Sequence, residues 1–327
     1  MANSTHLLEY LQTPALLVSK GQVSFANKAA EALLGNHIAG QDVRIAIRDP
    51  DAVELILGET GGTARIVGLS VGGSAWEIVC AVIGTDERLV SLYDVSVQVS
   101  VARAHADFVA NASHELRTPL ASILGYVETL MNPKAGADEE TRGKFLETIR
   151  HEAKRMQTLV SDLMSLSRIE ANKHDVPTQA VDMVQVANET VGEFEEAARI
   201  EVTANCESAE LLGDRAQLGQ ALRNLIDNAL KYGKKEAPVE VTLEVTDTGW
   251  LLLAVSDEGA GIKPEHLPRL TERFYRADAG RSRAAGGTGL GLSIVKHIVE
   301  RHRGRLDITS RLGKGTTASI MLPLRQR

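Results

Sequence analysis

A histidine beside a glutamate stands in the stretch ANASHELRTPLASI, residues 110–123. The apolar residues around it recur at helical spacing, and His114 lies off that stripe on the polar side of the predicted helix. An imidazole with a pKa of ~6.5 is largely neutral near neutral pH, so one ring nitrogen keeps a free lone pair. Glu115 can accept the hydrogen of the other ring nitrogen and fix the tautomer. These residue types favour a nucleophile, whereas a lone histidine on a helix surface usually has no chemical role.

Pro119 follows His114 by five residues in the same predicted helix. Proline has no N–H, so the carbonyl of Glu115 loses its helical partner and the helix can bend there. The residue therefore predicts a hinge beside the histidine. An ordinary tolerated kink is the alternative.

A second set of polar residues lies on one face of the predicted helix QLGQALRNLIDNALKYG, residues 217–233. Asn224, Asn228, Lys231 and Tyr232 share that face by helical arithmetic. An amide oxygen can complete a magnesium site built mainly from phosphate oxygens and water, and a lysine adds a point charge for phosphate. The opposite face is the core stripe, formed by Leu218, Leu222, Leu225, Ile226 and Ala229. The polar face predicts a magnesium-nucleotide site, with a solvated helix face as the alternative.

Three glycine clusters follow that helix. The first, Asp257–Gly261, ends a predicted strand, and a carboxylate there can accept a hydrogen bond from an adenine amino group. The second, GGTGLGL from Gly286, opens a helix, where free N–H groups suit phosphate. The third, Gly313–Thr316, joins two strands. The polar residues 272–287, between the first two clusters, are predicted to form a mobile lid.

In this order, NLIDNALKY, DEGAG, ERFYR, GGTGLGL and GKGT resemble the N, G1, F, G2 and G3 boxes of the histidine-kinase ATP-binding domain, whose fold is shared with DNA gyrase, Hsp90 and MutL. The resemblance implies ATP and Mg²⁺ as cofactors. It implies that Asn228 coordinates the metal, that Asn224, Lys231 and Tyr232 attend the phosphates, that Asp257 binds adenine and that Arg276 steadies the transferring phosphate. The matching boxes also place at the nucleotide Gly259, Gly261, Gly287, Thr288, Gly289, Leu290, Gly291 and Thr316.

Asn224 distinguishes this chain from the ATP-hydrolysing relatives, which carry a glutamate at that position. An asparagine cannot activate water as a general base, so ATP is expected to be held for another nucleophile.

The segment FVANASHELRTPL, residues 108–120, resembles the phosphoacceptor box of the HisKA family of sensor kinases. The resemblance implies that His114 accepts a phosphoryl group and passes it to an aspartate on the receiver domain of a response regulator. In this family the H-E-x-x-T pattern also implies that Thr118 positions a water for dephosphorylation of that partner. The alternative for Thr118 is a pre-proline threonine that bonds its own backbone.

The elements around these motifs predict a multidomain α/β protein. Residues 1–97 resemble a PAS sensor domain of mixed α/β structure, chiefly through LLVSKGQVSFANKAAEALLG. Residues 98–172 read as two amphipathic helices in a hairpin. Because one hairpin leaves its apolar stripe half covered, a homodimeric four-helix bundle is expected. Residues 180–327 are predicted to form an α/β sandwich (the Bergerat fold), with helices near 183–198, 215–232 and 290–303.

Composition limits the partners and the location that can be expected for this chain. The chain has 327 residues, of which 43% are hydrophobic and 24% charged, with a formal net charge of -7. This acidic balance predicts no nucleic-acid partner. No uncharged apolar run approaches the ~18 residues of a membrane span, so no membrane segment and a cytoplasmic location are expected. Cys80 and Cys206 lie far apart in predicted strands and are expected to be buried thiols.

The sequence thus predicts a homodimeric sensor histidine kinase with an N-terminal PAS domain. One alternative is a kinase-like scaffold without enzymatic activity, which the presence of His114, Asn228 and the glycine clusters disfavours. Another is an ATP-driven clamp of the gyrase type, which Asn224 disfavours.

Overall fold

The computed structural model describes residues 7–69, 73–132, 138–172, 175–277 and 287–325. The chain divides into two compact units, Met1–Val109 and Ala110–Arg327. Gly286, the loop residues 133–137 and most of the predicted lid lie outside the described residues. Within the described ranges, no helix has an apolar stretch that could cross a membrane.

The first unit is built on one antiparallel sheet with the strand order β2-β1-β5-β4-β3. Buried residues alternate with more exposed ones along β5, as expected where one face of a sheet covers a core. The strands of this sheet are β1 (Ala15–Ser19), β2 (Gln22–Ala26), β3 (Gly62–Val67), β4 (Ala75–Val82) and β5 (Glu87–Asp94).

Three helices join β2 to β3 and supply the rest of this core. Helix α1 (Lys28–Leu34) starts after Asn27, whose side chain accepts a hydrogen bond from the Ala30 N–H, and ends at Gly35, which has a φ of 99°. Two short helices were not predicted: α2 (Val43–Ala46) and α3 (Pro50–Leu57).

The second unit begins within a long helical hairpin. Its helices, α4 (Ser96–Met131) and α5 (Glu139–Ala171), match the predicted pair. The rings of Tyr126 and Phe145 contact each other between these helices, with centroids 5.1 Å apart and ring planes tilted by 44°. Other apolar side chains stay exposed, including Leu120 at 47% and Leu124 at 53% of their surface. A single hairpin therefore leaves part of its apolar surface uncovered.

The rest of the second unit has helices on one face of a five-stranded sheet. The strand order is β11-β12-β10-β9-β7; β7 and β9 pair in parallel, and the other pairs are antiparallel. The two remaining strands, β6 and β8, form a separate antiparallel pair. The strands are β6 (Gln179–Asp182), β7 (Ile200–Ala204), β8 (Glu210–Gly213), β9 (Val239–Val245), β10 (Trp250–Asp257), β11 (Arg305–Arg311) and β12 (Gly315–Pro323).

Among the residues that the structure describes, three α-helices complete this α/β sandwich: α6 (Met183–Gly192), α7 (Arg215–Tyr232) and α8 (Gly291–Arg301). The predicted helix over 183–198 was too long. It ends at Gly192, a poor helix former, and only the short 3₁₀ turn Ala197–Arg199 follows before β7. Cys80 is buried in β4 as expected, whereas Cys206 lies beyond the end of β7 and is only partly buried.

Two adjacent residues at the end of α8 join it to other parts of the unit. The Arg301 Nε donates to the carbonyl oxygens of Asn172 and Asp175, at 3.1 and 3.0 Å, just after the hairpin. The buried His302 accepts from the backbone N–H of Asp214 through Nε2 at 2.9 Å, and its Nδ1 donates to the Ile298 carbonyl. Burial lowers the pKa of His302, which favours this neutral tautomer.

Candidate active site

Helix α7 carries the polar face that the sequence assigns to the nucleotide. It begins after Asp214, whose carboxylate caps the N–H groups of Ala216 and Gln217. The predicted core stripe is buried in full, as Leu218, Leu222, Leu225, Ile226 and Ala229 each expose 4% or less of their surface. Burial of this stripe fixes the rotation of the helix and turns its other face toward a cavity.

The cavity has a volume of about 260 Å³ and lies between α7, the end of β10 and the start of α8. Most of the predicted nucleotide residues line it, together with Arg276: Asn224, Asn228, Lys231, Tyr232, Asp257, Gly261, Gly287, Thr288, Gly289, Gly291 and Thr316. Gly259 and Leu290 do not line it, and the Leu290 side chain is fully buried. Residues from five separate motifs thus meet at one cavity.

Two polar residues of α7 have partners within the site. The Asn224 Nδ2 donates to the carbonyl oxygen of Gly291 at 3.3 Å, a contact that joins α7 to the first turn of α8. The Lys231 Nζ lies 2.5 Å from an Asp227 carboxylate oxygen, one helical turn away. Asn228 is partly buried in the cavity wall between them.

Asp257 ends β10 at the cavity wall, as the sequence predicted. Burial raises the pKa of its carboxyl group, although hydrogen bonds from the backbone N–H groups of Gly259 and Thr316 oppose the shift. The Gly259 N–H donates to Oδ1 at 2.6 Å. This geometry holds the carboxyl group in place as a hydrogen-bond acceptor.

Two glycines are required by the surrounding backbone. Gly261 has a φ of 71°, and a Cβ there would collide with the carbonyl oxygen of Arg311. Gly289 has a φ of 73°, and its Cβ would lie 3.0 Å from the backbone of Phe274. At these two positions the chain's own backbone already excludes a side chain, whether or not a ligand is bound.

Thr288 lies where the second glycine cluster meets α8. Its hydroxyl accepts from the Leu290 N–H at 3.3 Å and donates to a carboxylate oxygen of Asp162 at 2.8 Å. Asp162 belongs to α5, and with Thr158 it brings the hairpin into the cavity wall. The hairpin therefore forms one side of the cavity.

His114 and Thr118 lie on the exposed surface of α4, and neither lines the cavity. The Thr118 hydroxyl donates to the carbonyl oxygen of His114 at 3.3 Å, the contact expected of a threonine that bonds its own helix. Pro119 is buried inside a helix that continues past it.

Glu115 has different partners from the one expected. Its Oε2 accepts from the Arg155 Nη2 at 3.0 Å and from the Arg276 Nη2 at 2.9 Å. Both arginine side chains are only 9% exposed, so the carboxylate is held between two cations that are largely desolvated. The carboxylate beside His114 therefore contacts an arginine that lines the cavity.

Arg155, Thr158 and Asp162 were not predicted as site residues. They recur at i, i+3 and i+7 along α5 and lie beside its buried apolar residues, such as Leu159 and Leu166. Their polar side chains at helical spacing were the sequence pattern that could have indicated a functional face on α5. The partner of Asp162, Thr288, lies 126 residues further along the chain, and the partner of Arg155, Glu115, lies 40 residues before it, so periodicity alone could not identify them.

Two family models match the chain. The His Kinase A (phospho-acceptor) domain matches residues 104–172, and the histidine kinase-, DNA gyrase B- and HSP90-like ATPase matches residues 213–326. The first match contains His114, and the second contains the whole of α7 and all three glycine clusters.

Curated relatives and a solved structure agree with these matches. The phosphate regulon sensor protein PhoR of Pseudomonas aeruginosa is 37% identical over 311 residues, which is 92% of this chain and 70% of that protein. The sensor-like histidine kinase SenX3 of Mycobacterium tuberculosis is 36% identical over 78% of this chain and 62% of its own length. The structure of the histidine kinase AdeS of Acinetobacter baumannii aligns with a TM-score of 0.51 and 25% identity, over 65% of this chain and 98% of that one. The chain therefore belongs to the sensor histidine kinases, the protein-histidine kinases of two-component signal transduction.

Proposed function

We propose that this kinase transfers the γ-phosphoryl group of ATP to His114 and then to an aspartate on a response regulator. The observation that carries the proposal is the ion pair between Glu115, the neighbour of His114, and Arg276 in the nucleotide cavity. It connects the helix of the acceptor histidine with the ATP-binding domain of the same chain.

The transfer needs positioning more than covalent assistance. A ring nitrogen of His114 attacks the γ-phosphorus, and a nitrogen–phosphorus bond forms. The bond to the bridging oxygen breaks, and ADP leaves with that electron pair. Arg276 is suited to offset the negative charge, because its guanidinium is largely desolvated and lines the cavity. Asn224 supplies no general base for water, so hydrolysis does not compete.

The α7 face suits a magnesium ion. Magnesium takes one or two protein oxygens and completes its shell with phosphate oxygens and water. Asn228 offers an amide oxygen at the partly buried cavity wall, beside Asp227 and Lys231. Asn228 is thus proposed as the ligand, and the ion would neutralise phosphate charge. The other assigned contacts are Lys231 and Tyr232 to phosphates and Asp257 to the adenine amino group.

The chain is further proposed to form a homodimer through the hairpin. Leu120, Leu124 and Met164 each expose about half of their surface, at 47%, 53% and 54%. A second hairpin would cover them in a four-helix bundle. His114 and Thr118 are exposed on a different side of α4, so a receiver domain that docks on the bundle can reach both. Thr118 is proposed to position the water that removes phosphate from the regulator.

The first unit is proposed to act as a PAS-type sensor domain. Its five-stranded antiparallel sheet, with three helices between β2 and β3, supports that assignment.

Labelling with γ-³²P-ATP tests the proposed function. The unaltered chain should give an acid-labile and base-stable adduct, because a phosphoramidate hydrolyses once its nitrogen is protonated. His114→Ala should abolish the label, whereas His105→Ala, an exposed histidine on the same helix, should retain it. Asn228→Ala should abolish labelling without changing the oligomeric state. Retention of the label in His114→Ala would contradict the assignment.

A further inference from the structure

The hairpin supplies a carboxylate to the nucleotide cavity. Asp162, on α5, lines the cavity together with Thr288 and Arg276. Its Oδ2 accepts from the Thr288 hydroxyl at 2.8 Å. Thr288 belongs to the glycine cluster that opens α8, the segment assigned to the phosphates of ATP.

Asp162 is held in this position at an electrostatic cost. Burial raises the pKa of its carboxyl group, and the negative charge of Asp227 on α7 raises it further. The Thr288 hydrogen bond and the positive charge of Lys231 act in the opposite direction. The groups that favour the charged form of Asp162 are therefore groups of the proposed phosphate site.

A second hairpin carboxylate contacts the cavity from α4. Glu115 accepts from the Arg276 Nη2 at 2.9 Å. The Arg276 Nε is buried and, among the residues that the structure describes, has no hydrogen-bond partner. Arg276 thus uses one donor on a hairpin carboxylate and keeps a second, buried donor that is not satisfied.

A carboxylate resembles a phosphate in the features that these groups recognise, because both present a negative charge on more than one oxygen. We infer that Asp162 sets the nucleotide affinity of the kinase by competing with the phosphates of ATP for Thr288, and that Glu115 competes in the same way for Arg276. The inference rests on the proposed function, which places phosphates at these two residues.

The competition links ATP binding to hairpin docking. If phosphate and Asp162 exclude each other at Thr288, ATP weakens docking by the same factor by which docking weakens ATP binding. Adenosine has no phosphate, so its affinity and its effect on the hairpin are independent of Asp162. This difference separates competition for phosphate contacts from a general effect of docking.

Isothermal titration of the full chain with Mg²⁺ and adenylyl imidodiphosphate, a triphosphate that is not hydrolysed, tests the inference. Asp162→Asn removes the charge with little change of shape and should tighten binding of this triphosphate roughly fivefold or more. Its affinity for adenosine should stay unchanged. In the Thr288→Val background, Asp162→Asn should no longer change triphosphate affinity, because the shared contact is absent.

Glu170→Gln is the matched control. Glu170 also lies on α5, and it pairs with Arg273 and His297 of the ATP-binding domain without lining the cavity. Its removal should leave triphosphate affinity unchanged. Equal tightening by Glu170→Gln and Asp162→Asn would overturn the inference in favour of docking in general, and no tightening by Asp162→Asn would overturn it outright. Failure of the unaltered chain to bind either ligand would instead contradict the proposed function.

Amide hydrogen exchange of the unaltered chain provides a second measurement that needs no variant to fold. Saturating triphosphate should raise exchange along α5 near residue 162, whereas saturating adenosine should not. An identical response to both ligands would overturn the inference.

Discussion

Helix α7 and the hairpin helices are all amphipathic, yet their apolar surfaces differ in how far they are buried within one chain. The apolar stripe of α7 is buried against its own sheet and neighbouring helices, with Leu225 only 2% exposed. On α4, Leu124 is 53% exposed and has no such cover within one chain. The cavity is therefore lined by residues of a single chain, whereas the apolar stripe of the hairpin stays uncovered in a single chain and is the surface proposed to bind a second copy.

The largest expected effect comes from a charge placed on the uncovered stripe. Leu124→Glu should raise the dissociation constant of the dimer by roughly 10³-fold, because association would bury an unpaired carboxylate in each protomer. Light scattering across a concentration series measures it. At concentrations where Leu124→Glu and the unaltered chain are both monomeric, their thermal unfolding midpoints should be nearly equal. A dimer as tight as that of the unaltered chain would show that α4 does not supply the interface.

Shortening a side chain on the buried apolar stripe of α7 should have the opposite effect, because it should lower folding stability and leave dimer formation unchanged. Leu225→Ala is expected to lower the free energy of unfolding of the ATP-binding domain by about 3 kcal/mol, since it leaves a cavity in a well-packed core. Urea denaturation measures this loss, and the oligomeric state should not change. If Leu225→Ala instead shifted the protein to monomers, the contrast between the two kinds of helix would be lost.

Sequence periodicity predicted α7 almost completely. Both of its faces follow from local spacing, and the stripe that periodicity assigned to the core is the stripe that the fold buries. Periodicity could not predict the partners of Glu115, because Arg155 is 40 residues away and Arg276 is 161 residues away along the chain. Asp162 was missed for the same reason. Contacts within one helix were predictable, whereas contacts between the hairpin and the ATP-binding domain depend on tertiary packing.

Thr118 tests whether the exposed surface of α4 carries chemistry beyond the histidine. Thr118→Ala should retain autophosphorylation and forward transfer but slow dephosphorylation of the regulator by ~10²-fold, the effect of losing one hydrogen-bonding group that positions water. The assay follows decay of purified phosphorylated regulator, with both variants in a His114→Ala background that cannot take phosphate back. Equal decay rates would leave Thr118 as a pre-proline residue that bonds its own helix.

The smallest predicted effect is the pH dependence of adenosine binding in the cavity. Burial raises the pKa of Asp257 above its ordinary value of 3.8, and the ionised carboxylate is the stronger acceptor for the adenine amino group. Adenosine affinity should therefore be full above the raised pKa and fall as the pH drops through it, by at most about tenfold per pH unit. Asp257→Asn should bind more weakly and lose this pH dependence. The same pH dependence in Asp257→Asn would assign the titration to another group.

Contacts at the C-terminal end of α8 fix the number of residues in that helix. Arg301 contacts the carbonyl groups after the hairpin, and the next residue, His302, contacts the start of α7. One inserted residue would turn both side chains by about 100° around the helix axis, so both contacts would be lost together. The turn at Gly249, between β9 and β10, has no atom within 4 Å of a side chain placed there. We therefore expect insertions to be tolerated in that turn and rejected within α8.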